Sequence, residues 1–347
     1  MNFQNRLAKV EKVLHDSNVE AFLVEDPTNL YYLTGLVLSA GKLLIKTQGN
    51  STLLVDNRYY EYCKNQAPVP VFLSDKNSLE SLLGGINTLA FDGETISYQT
   101  YASMQENFKD LKLVSLSHSL QKIRSLKDAH EIAILQEAAQ LGMQGYEYIK
   151  SLLKEGVRED QLAVELEIFW KKNKAQGVAF EPIIAFGANS ALPHYRPAET
   201  ELREGMTVLF DVGVKWKGYH SDLSRTLFWG EPPAIMRKVY AIVEKAQQRA
   251  MALCKPGITI GELDRAARDY ISACGYGEHF LHSLGHGVGL EIHEWPSLRN
   301  KEPYQQLPLQ EGMVITIEPG IYLPGIGGVR IEDTLLITST GYQVLGS

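Results

Sequence analysis

The sequence predicts a two-domain α/β protein of the mixed α+β kind, with an internal pseudo-two-fold repeat in its second domain. Three observations carry this reading. The first third of the chain alternates short apolar runs with short helical segments, as small α/β domains do. From Ser125 the composition shifts to a helix rich in Ala, Glu, Ile and Leu. An eleven-residue pattern then occurs twice, as R-E-G-M-T-V-L-F-D-V-G at 203–213 and Q-E-G-M-V-I-T-I-E-P-G at 310–320. Gly205 matches Gly312, Met206 matches Met313, Asp211 matches Glu318 and Gly213 matches Gly320, all at an offset of 107. A length of 347 residues suits two domains of about 150 each, and the change of character sets them at 1–123 and 124–347.

Leu7, Val10, Val13 and Leu14 fall on one face of an amphipathic first helix. Ala21–Val24 reads as a strand and Pro27-Thr28-Asn29 as a turn. Leu43–Ile45, Thr52–Val55, Val69–Leu73 and Thr88–Phe91 read as further strands, with helices at Arg58–Asn65 and Ser78–Leu83 between them. The second domain opens on a helix running from Asp128 through Leu141. Two related helices follow: Gly156-Val157 precedes Leu162 as Gly257-Ile258 precedes Leu263, and these helices are expected to close at Gly177 and Gly275. Each half thus reads helix, strand, acid, strand, acid. The run Gly325-Ile326-Gly327-Gly328 marks a hairpin turn in the second copy.

Composition narrows the function. Apolar content of 44% and charged content of 22% describe a globular chain. A formal charge of −7 argues against nucleic acid or an anionic membrane as partner. Cys63, Cys254 and Cys274 lie far apart with no C-x-x-C spacing, which reads as free thiols in a reducing compartment. None is near the repeated motif, so a nucleophilic cysteine is disfavoured. The first residues, M-N-F-Q-N-R-L-A-K-V-E-K, are threaded with charge and lack the apolar core of a signal peptide. No run approaches the roughly 20 apolar residues of a membrane span. The expected location is the cytoplasm.

The repeat places acids where a buried strand should have none. An ionised carboxylate at the end of Thr-Val-Leu-Phe or Val-Ile-Thr-Ile is costly unless it is paired, hydrogen-bonded or bound to a metal. A second acid follows each copy, Asp222 in H-S-D-L-S-R-T-L and Glu332 in V-R-I-E-D-T-L-L. A lone acid at a strand end is usually a cap or a solvated turn residue, but recurrence in register in both halves weakens that reading. Four of the nine histidines crowd between 279 and 293, just before the second copy. His282 and His286 have the spacing of a helical ligand pair, yet three glycines at 285, 287 and 289 make a helix unfavourable, each costing about 1 kcal/mol relative to alanine. A strand or extended loop is expected, with the glycines letting another group approach the backbone. The same glycines do not have the spacing of a dinucleotide fingerprint. Two halves each supplying two strand-borne carboxylates make the arrangement of a two-metal site.

These motifs resemble the metal-dependent Xaa-Pro peptidases, aminopeptidase P and prolidase, which share the pita-bread fold with methionine aminopeptidase. The matching blocks are Asn189–Pro197, Phe210–Thr226, His282–Pro296 and Ile317–Leu335, and the first domain resembles the creatinase/prolidase-like N-terminal domain of that family. The resemblance implies five metal ligands, Asp211, Asp222, His286, Glu318 and Glu332, holding two divalent ions. Oxygen-rich ligation with one imidazole suits Mn²⁺, with Co²⁺ or Zn²⁺ as alternatives. It further implies that Asp222 and Glu332 bridge the ions and that Glu318 also takes the proton of the attacking water. His194 and His293 would hydrogen-bond the substrate carbonyl, and His282 would line the pocket for a proline ring. Arg330 would orient a bridging carboxylate. The implied substrates are peptides with proline at the second position, and a homodimer is expected because dimers are common in the family. The His194-Tyr195-x-Pro197 run leans the reading toward aminopeptidase P, with a dipeptide-specific prolidase as the alternative. A metal-free hydrolase like creatinase, or a catalytically inactive pita-bread binding protein, should have lost ligands, and none is missing. Methionine aminopeptidase normally lacks a first domain of this size.

Overall fold

The computed structural model describes residues 2–75 and 77–346 and divides the chain into two units, 1–124 and 125–347. The first unit holds α1 (Phe3–Asp16), β1 (Ala21–Val24), α2 (Pro27–Thr34), β2 (Lys42–Lys46), β3 (Thr52–Val55), α3 (Tyr60–Lys64), β4 (Val71–Leu73), α4 (Ser78–Leu82), β5 (Thr88–Phe91), α5 (Tyr98–Asn107) and β6 (Lys112–Ser115), and α6 (Ser119–Ser125) ends at its border. Its mixed sheet runs β4-β3-β2-β1-β5-β6. The central strand β1 is buried along its whole length, which is why Ala-Phe-Leu-Val is apolar at every position rather than alternating. The strands expected from apolar runs are present. The turn expected at Pro27-Thr28-Asn29 is instead the first turn of α2: Asp26 caps it by accepting the Asn29 N–H at 2.8 Å, and Pro27 occupies a position that needs no N–H.

The second unit is built from two similar halves. The first half runs α7 (Ala129–Ser151), α8 (Glu159–Lys172), β7 (Gly177–Val178), β8 (Ile183–Phe186), β9 (Thr207–Val212), β10 (Val214–Trp216), β11 (Tyr219–His220) and β12 (Leu223–Phe228). The second runs α9 (Ala234–Met251), α10 (Ile260–Ala273), β13 (Gly285–Gly287), β14 (Glu294–Leu298), β15 (Val314–Ile317), β16 (Gly320–Leu323), β17 (Gly327–Arg330), β18 (Asp333–Ile337) and β19 (Tyr342–Val344). Strands β12-β9-β8 of one half correspond to β18-β15-β13 of the other, all antiparallel. Phe186 pairs with Val208 and Gly287 pairs with Ile315, 107 residues on from Val208. The repeat offset therefore holds in space, and Ala185 is the counterpart of His286.

Local chemistry explains the shared skeleton. Asp128 and Glu131 form a capping box that starts α7, and Thr259 and Glu262 form one that starts α10. Gly205 and Gly312 take φ of +82° and +86° to turn the chain into β9 and β15, a conformation that favours glycine. Helix α10 closes at Gly275, with φ of +87°, as expected. Helix α8 stops at Lys172, short of Gly177: the left-handed residue there is Lys174, and Gly177 opens a strand. The glycine-rich turn is the β16–β17 hairpin, with Gly325 at its tip and Gly327 and Gly328 already in β17.

Each half closes its own apolar core. Tyr146, Ile149, Leu166, Trp170, Phe186 and Phe210 pack in the first, and Val239, Val243, Leu263, Ile315, Leu335 and Ile337 in the second. Burial of each such side chain contributes roughly 1.5–3 kcal/mol. The acids project from the strand ends where the two halves meet.

Candidate metal centre

Asp211 is the penultimate residue of β9, paired across the sheet with Ser224 of β12, and Glu318 directly follows β15. Asp222 lies in the link from β11 to β12 and Glu332 in the link from β17 to β18. A backbone bond and a side-chain bond between the halves fix these links. The Glu332 N–H donates to the Ser224 carbonyl at 3.1 Å, and the Thr334 hydroxyl donates to the Asp222 carbonyl at 3.0 Å. His286 sits on the three-residue strand β13, extended rather than helical. A side chain on Gly285 would collide with the Thr316 carbonyl and one on Gly287 with the Trp295 carbonyl, so the flanking glycines let the neighbouring strands close in on the imidazole.

Asp222, His286 and Glu332 each offer a ligand atom within 4.8 Å of the others. Glu318 joins them: its Oε1 lies 3.4 Å from His286 Nε2, and Asp222 Oδ2 lies 3.5 Å from the same nitrogen. The Gly287 carbonyl, 3.0 Å from His286 Nδ1, can only accept, so Nδ1 carries the proton and Nε2 is bare. Burial, followed by the His293 charge, pushes the His286 pKa down to about 3, so this imidazole is neutral. The lone pair and the two carboxyl groups form a donor set that an intervening cation would satisfy. Burial and mutual repulsion raise Asp222 and Glu318 well above the usual carboxylate range, and burial with the Asp211 charge takes Glu332 up to about 8. Glu332 Oε1 is buried with no hydrogen-bond partner. An orphaned carboxylate oxygen, a bare imidazole nitrogen and a set of charge-starved carboxyls fit a divalent cation.

Asp211 is held differently. The Arg330 guanidinium donates to its Oδ2 through Nη2, to the Ser224 hydroxyl through Nε at 2.9 Å, and to the Tyr322 hydroxyl through Nη1 at 2.6 Å. Ser224 in turn donates to Glu332 Oε2 at 2.7 Å. Arg330 was expected to orient a bridging carboxylate; it grips Asp211 directly and reaches Glu332 only through Ser224. Having accepted from Arg330, the Tyr322 hydroxyl gives its own proton to His282 Nε2 at 2.9 Å, and His282 Nδ1 donates to the Ser283 carbonyl at 2.8 Å. Both His282 nitrogens are thus engaged inside the protein, and burial lowers its pKa to about 4. The exposed His293 ring meets His286 edge-on with centroids 4.3 Å apart, and its pKa is lowered by burial of part of the ring. His194 is exposed on the turn after the short 3₁₀ helix Gly187–Ala191.

Ser224, Thr316 and Tyr322 escaped the sequence reading. Ser224 and Thr226 are buried hydroxyls at alternate positions of a strand that otherwise reads Leu, Arg, Leu, Phe, and that alternation was the available signal. Thr316 donates toward Glu318 Oε1 at 3.5 Å and accepts the His286 N–H at 3.1 Å.

The sequence matches the model of metallopeptidase family M24 over residues 133–339 and that of the creatinase/prolidase N-terminal domain over 6–126. The chain belongs to metallopeptidase family M24. Among its M24 relatives, a Xaa-Pro dipeptidase of Pyrococcus furiosus is 39% identical over 347 residues, covering 99% of this chain and 97% of the relative. The structure of a Xaa-Pro dipeptidase from Bacillus anthracis superposes with a TM-score of 0.94 at 36% identity, covering 100% of this chain and 98% of that one. An X-Pro aminopeptidase from Thermotoga maritima superposes with a TM-score of 0.86 at 31% identity, covering 95% and 96%. The first unit is therefore a creatinase/prolidase N-terminal domain and the second a metallopeptidase M24 domain with the pita-bread fold. Membership of M24 implies use of divalent metal. Among the described residues no helix is long and apolar enough to cross a membrane.

Proposed function

We propose that this chain is a dinuclear metal-dependent exopeptidase that cleaves Xaa-Pro dipeptides. The observation that carries the proposal is the bare His286 nitrogen facing Asp222 and Glu318 beside the orphaned Glu332 oxygen. The full-length similarity to Xaa-Pro dipeptidases supports the substrate class. It also reverses the lean toward aminopeptidase P, since the aminopeptidase structure is the more distant of the two. Tyr195, part of the run behind that lean, is used in packing: its hydroxyl donates to Glu159 at 2.8 Å and accepts from Asn189 at 2.8 Å.

Asp211, Asp222, His286, Glu318 and Glu332 would hold two ions, Mn²⁺ before Co²⁺ or Zn²⁺ on the oxygen-rich donor set. When bound, the ions polarise the scissile carbonyl and make water a competent nucleophile at neutral pH. Glu318, whose Oε1 lies 3.4 Å from His286 Nε2 at the edge of the site, would accept the proton of that water. His293 and His194, both reaching toward solvent, donate hydrogen bonds to the oxyanion that develops on the substrate carbonyl. His282, its nitrogens engaged and its ring edge-on to Phe280, offers a wall for the proline ring. Arg330 keeps Asp211 aimed at the site. The proposal places the chain in the cytoplasm, a reducing setting supported by three free cysteines, and keeps the homodimer that the family resemblance implies.

The test measures release of the first residue from Xaa-Pro and from Xaa-Pro-Yaa-Yaa, with Mn²⁺, Co²⁺ and Zn²⁺ supplied separately. Turnover of the dipeptide alone is expected. Cleavage of the tetrapeptide at a similar rate would restore aminopeptidase P, and full activity in metal-free protein would remove the mechanism.

A further inference from the structure

The segment by which the chain enters the second unit touches both halves of it. Leu126 forms an antiparallel bridge with Met313, and the Lys127 N–H donates to the Gly312 carbonyl at 2.9 Å. Glu131, in the first turn of α7, accepts the Tyr219 hydroxyl of β11 at 2.9 Å. Between these anchors the Lys127 ammonium lies 3.3 Å from Glu294 Oε2, with the two side chains 1% and 2% exposed. The other Glu294 oxygen accepts the Glu291 N–H at 3.1 Å, and a side chain on Gly289 would meet the same carboxylate at 2.6 Å. The Glu294 carboxylate therefore lies inside the loop from Gly289 to Glu294. His293 is carried by that loop, with its ring against His286.

A fully buried ion pair is a weak source of stability, because desolvation of both charges offsets their attraction. Its directional bonds define one geometry, which apolar residues of the same volume would not. Lys127 also lies outside both segments matched by the family models, 6–126 and 133–339.

We propose that Lys127 is a positioning residue for the reaction: through Glu294 it sets the loop that presents His293 to the substrate carbonyl. This rests on the catalytic role proposed above for His293. A displacement of about 1 Å at a reacting group can cost on the order of 10²-fold in rate. Lys127→Met, made in the full-length protein, is therefore expected to lower kcat on an Xaa-Pro dipeptide by about that factor, with metal content and KM retained. Lys127→Arg should recover most of the loss.

The deciding experiment is a double-mutant cycle with His293→Ala, read by kcat, metal content and melting temperature. In the His293→Ala background, Lys127→Met should cost nothing further. An equal loss in both backgrounds, or a lower melting temperature with wild-type kcat, would overturn the proposal and leave the role of His293 standing. A His293→Ala enzyme with normal kcat would instead overturn that role, and the proposal with it. If Lys127→Met yields no folded protein, Glu294→Gln, which keeps the bond from Glu291 but removes the charge, enters the same cycle with the same outcomes.

Discussion

Strands β8–β9 and β13–β15 follow the same path, yet Ala185 stands in the first half where His286 stands in the second, and Leu209 stands where Thr316 stands. In the first half these positions pack an apolar cluster with Ile183 and Tyr195. In the second, the threonine hydroxyl holds the backbone of His286 and points toward Glu318. Both halves bring acids to the seam, so negative charge is shared, whereas the imidazole, the arginine and the tyrosine bonded to it belong to one side. A symmetric skeleton concentrates charge, and its departures from symmetry give the site a direction along which a peptide can be bound and a proton moved.

That division can be broken at the shared acids first. Asp222→Ala removes a first-half carboxylate that faces the second-half imidazole, and turnover should fall below detection together with metal content. Retention of both would sink the ligand set. The asymmetric residues should divide by role. His293→Ala is expected to keep its metal and lose on the order of 10²–10³ in kcat, whereas His286→Ala should lose metal affinity as well. Parallel measurements of metal, kcat and melting temperature separate them: a variant merely loosened where the His293 ring meets His286 would melt early and turn over normally. The smallest effect is expected at Arg330→Ala, where Asp211 keeps its place in β9 but loses its guanidinium. A loss of about 10–100-fold in activity or metal affinity is expected, and one as complete as that of Asp222→Ala would make Arg330 more than an orienting group.

The acids were legible because the repeat shows them twice, each closing an apolar run. The glycines of the repeat were legible for a related reason: a left-handed turn at Gly205 and Gly312 recurs wherever the strand does. His286 was legible only through a cluster and a resemblance, since its counterpart is alanine. The Pro27 segment went astray because proline and asparagine suit a turn and a helix start equally, and only the Asp26 cap decides. Ser224, Thr316 and Tyr322 were hidden for a different reason. Each is a common strand residue, and its role depends on which side chain lies across the seam, which spacing along one chain does not encode.

The two separate cores have a thermodynamic consequence. The boundary between the halves is lined by buried carboxyls that repel one another, offset in part by the Arg330 guanidinium, and by an imidazole turned toward them, so further positive charge there favours its closing. Any dication that binds the folded chain and not the unfolded one adds RT ln(1 + [L]/Kd) to its stability, about 2.7 kcal/mol at a hundredfold excess over Kd. The melting temperature of this protein is thus expected to rise with free metal concentration, and a chelator to act on it as a denaturant directed at one seam.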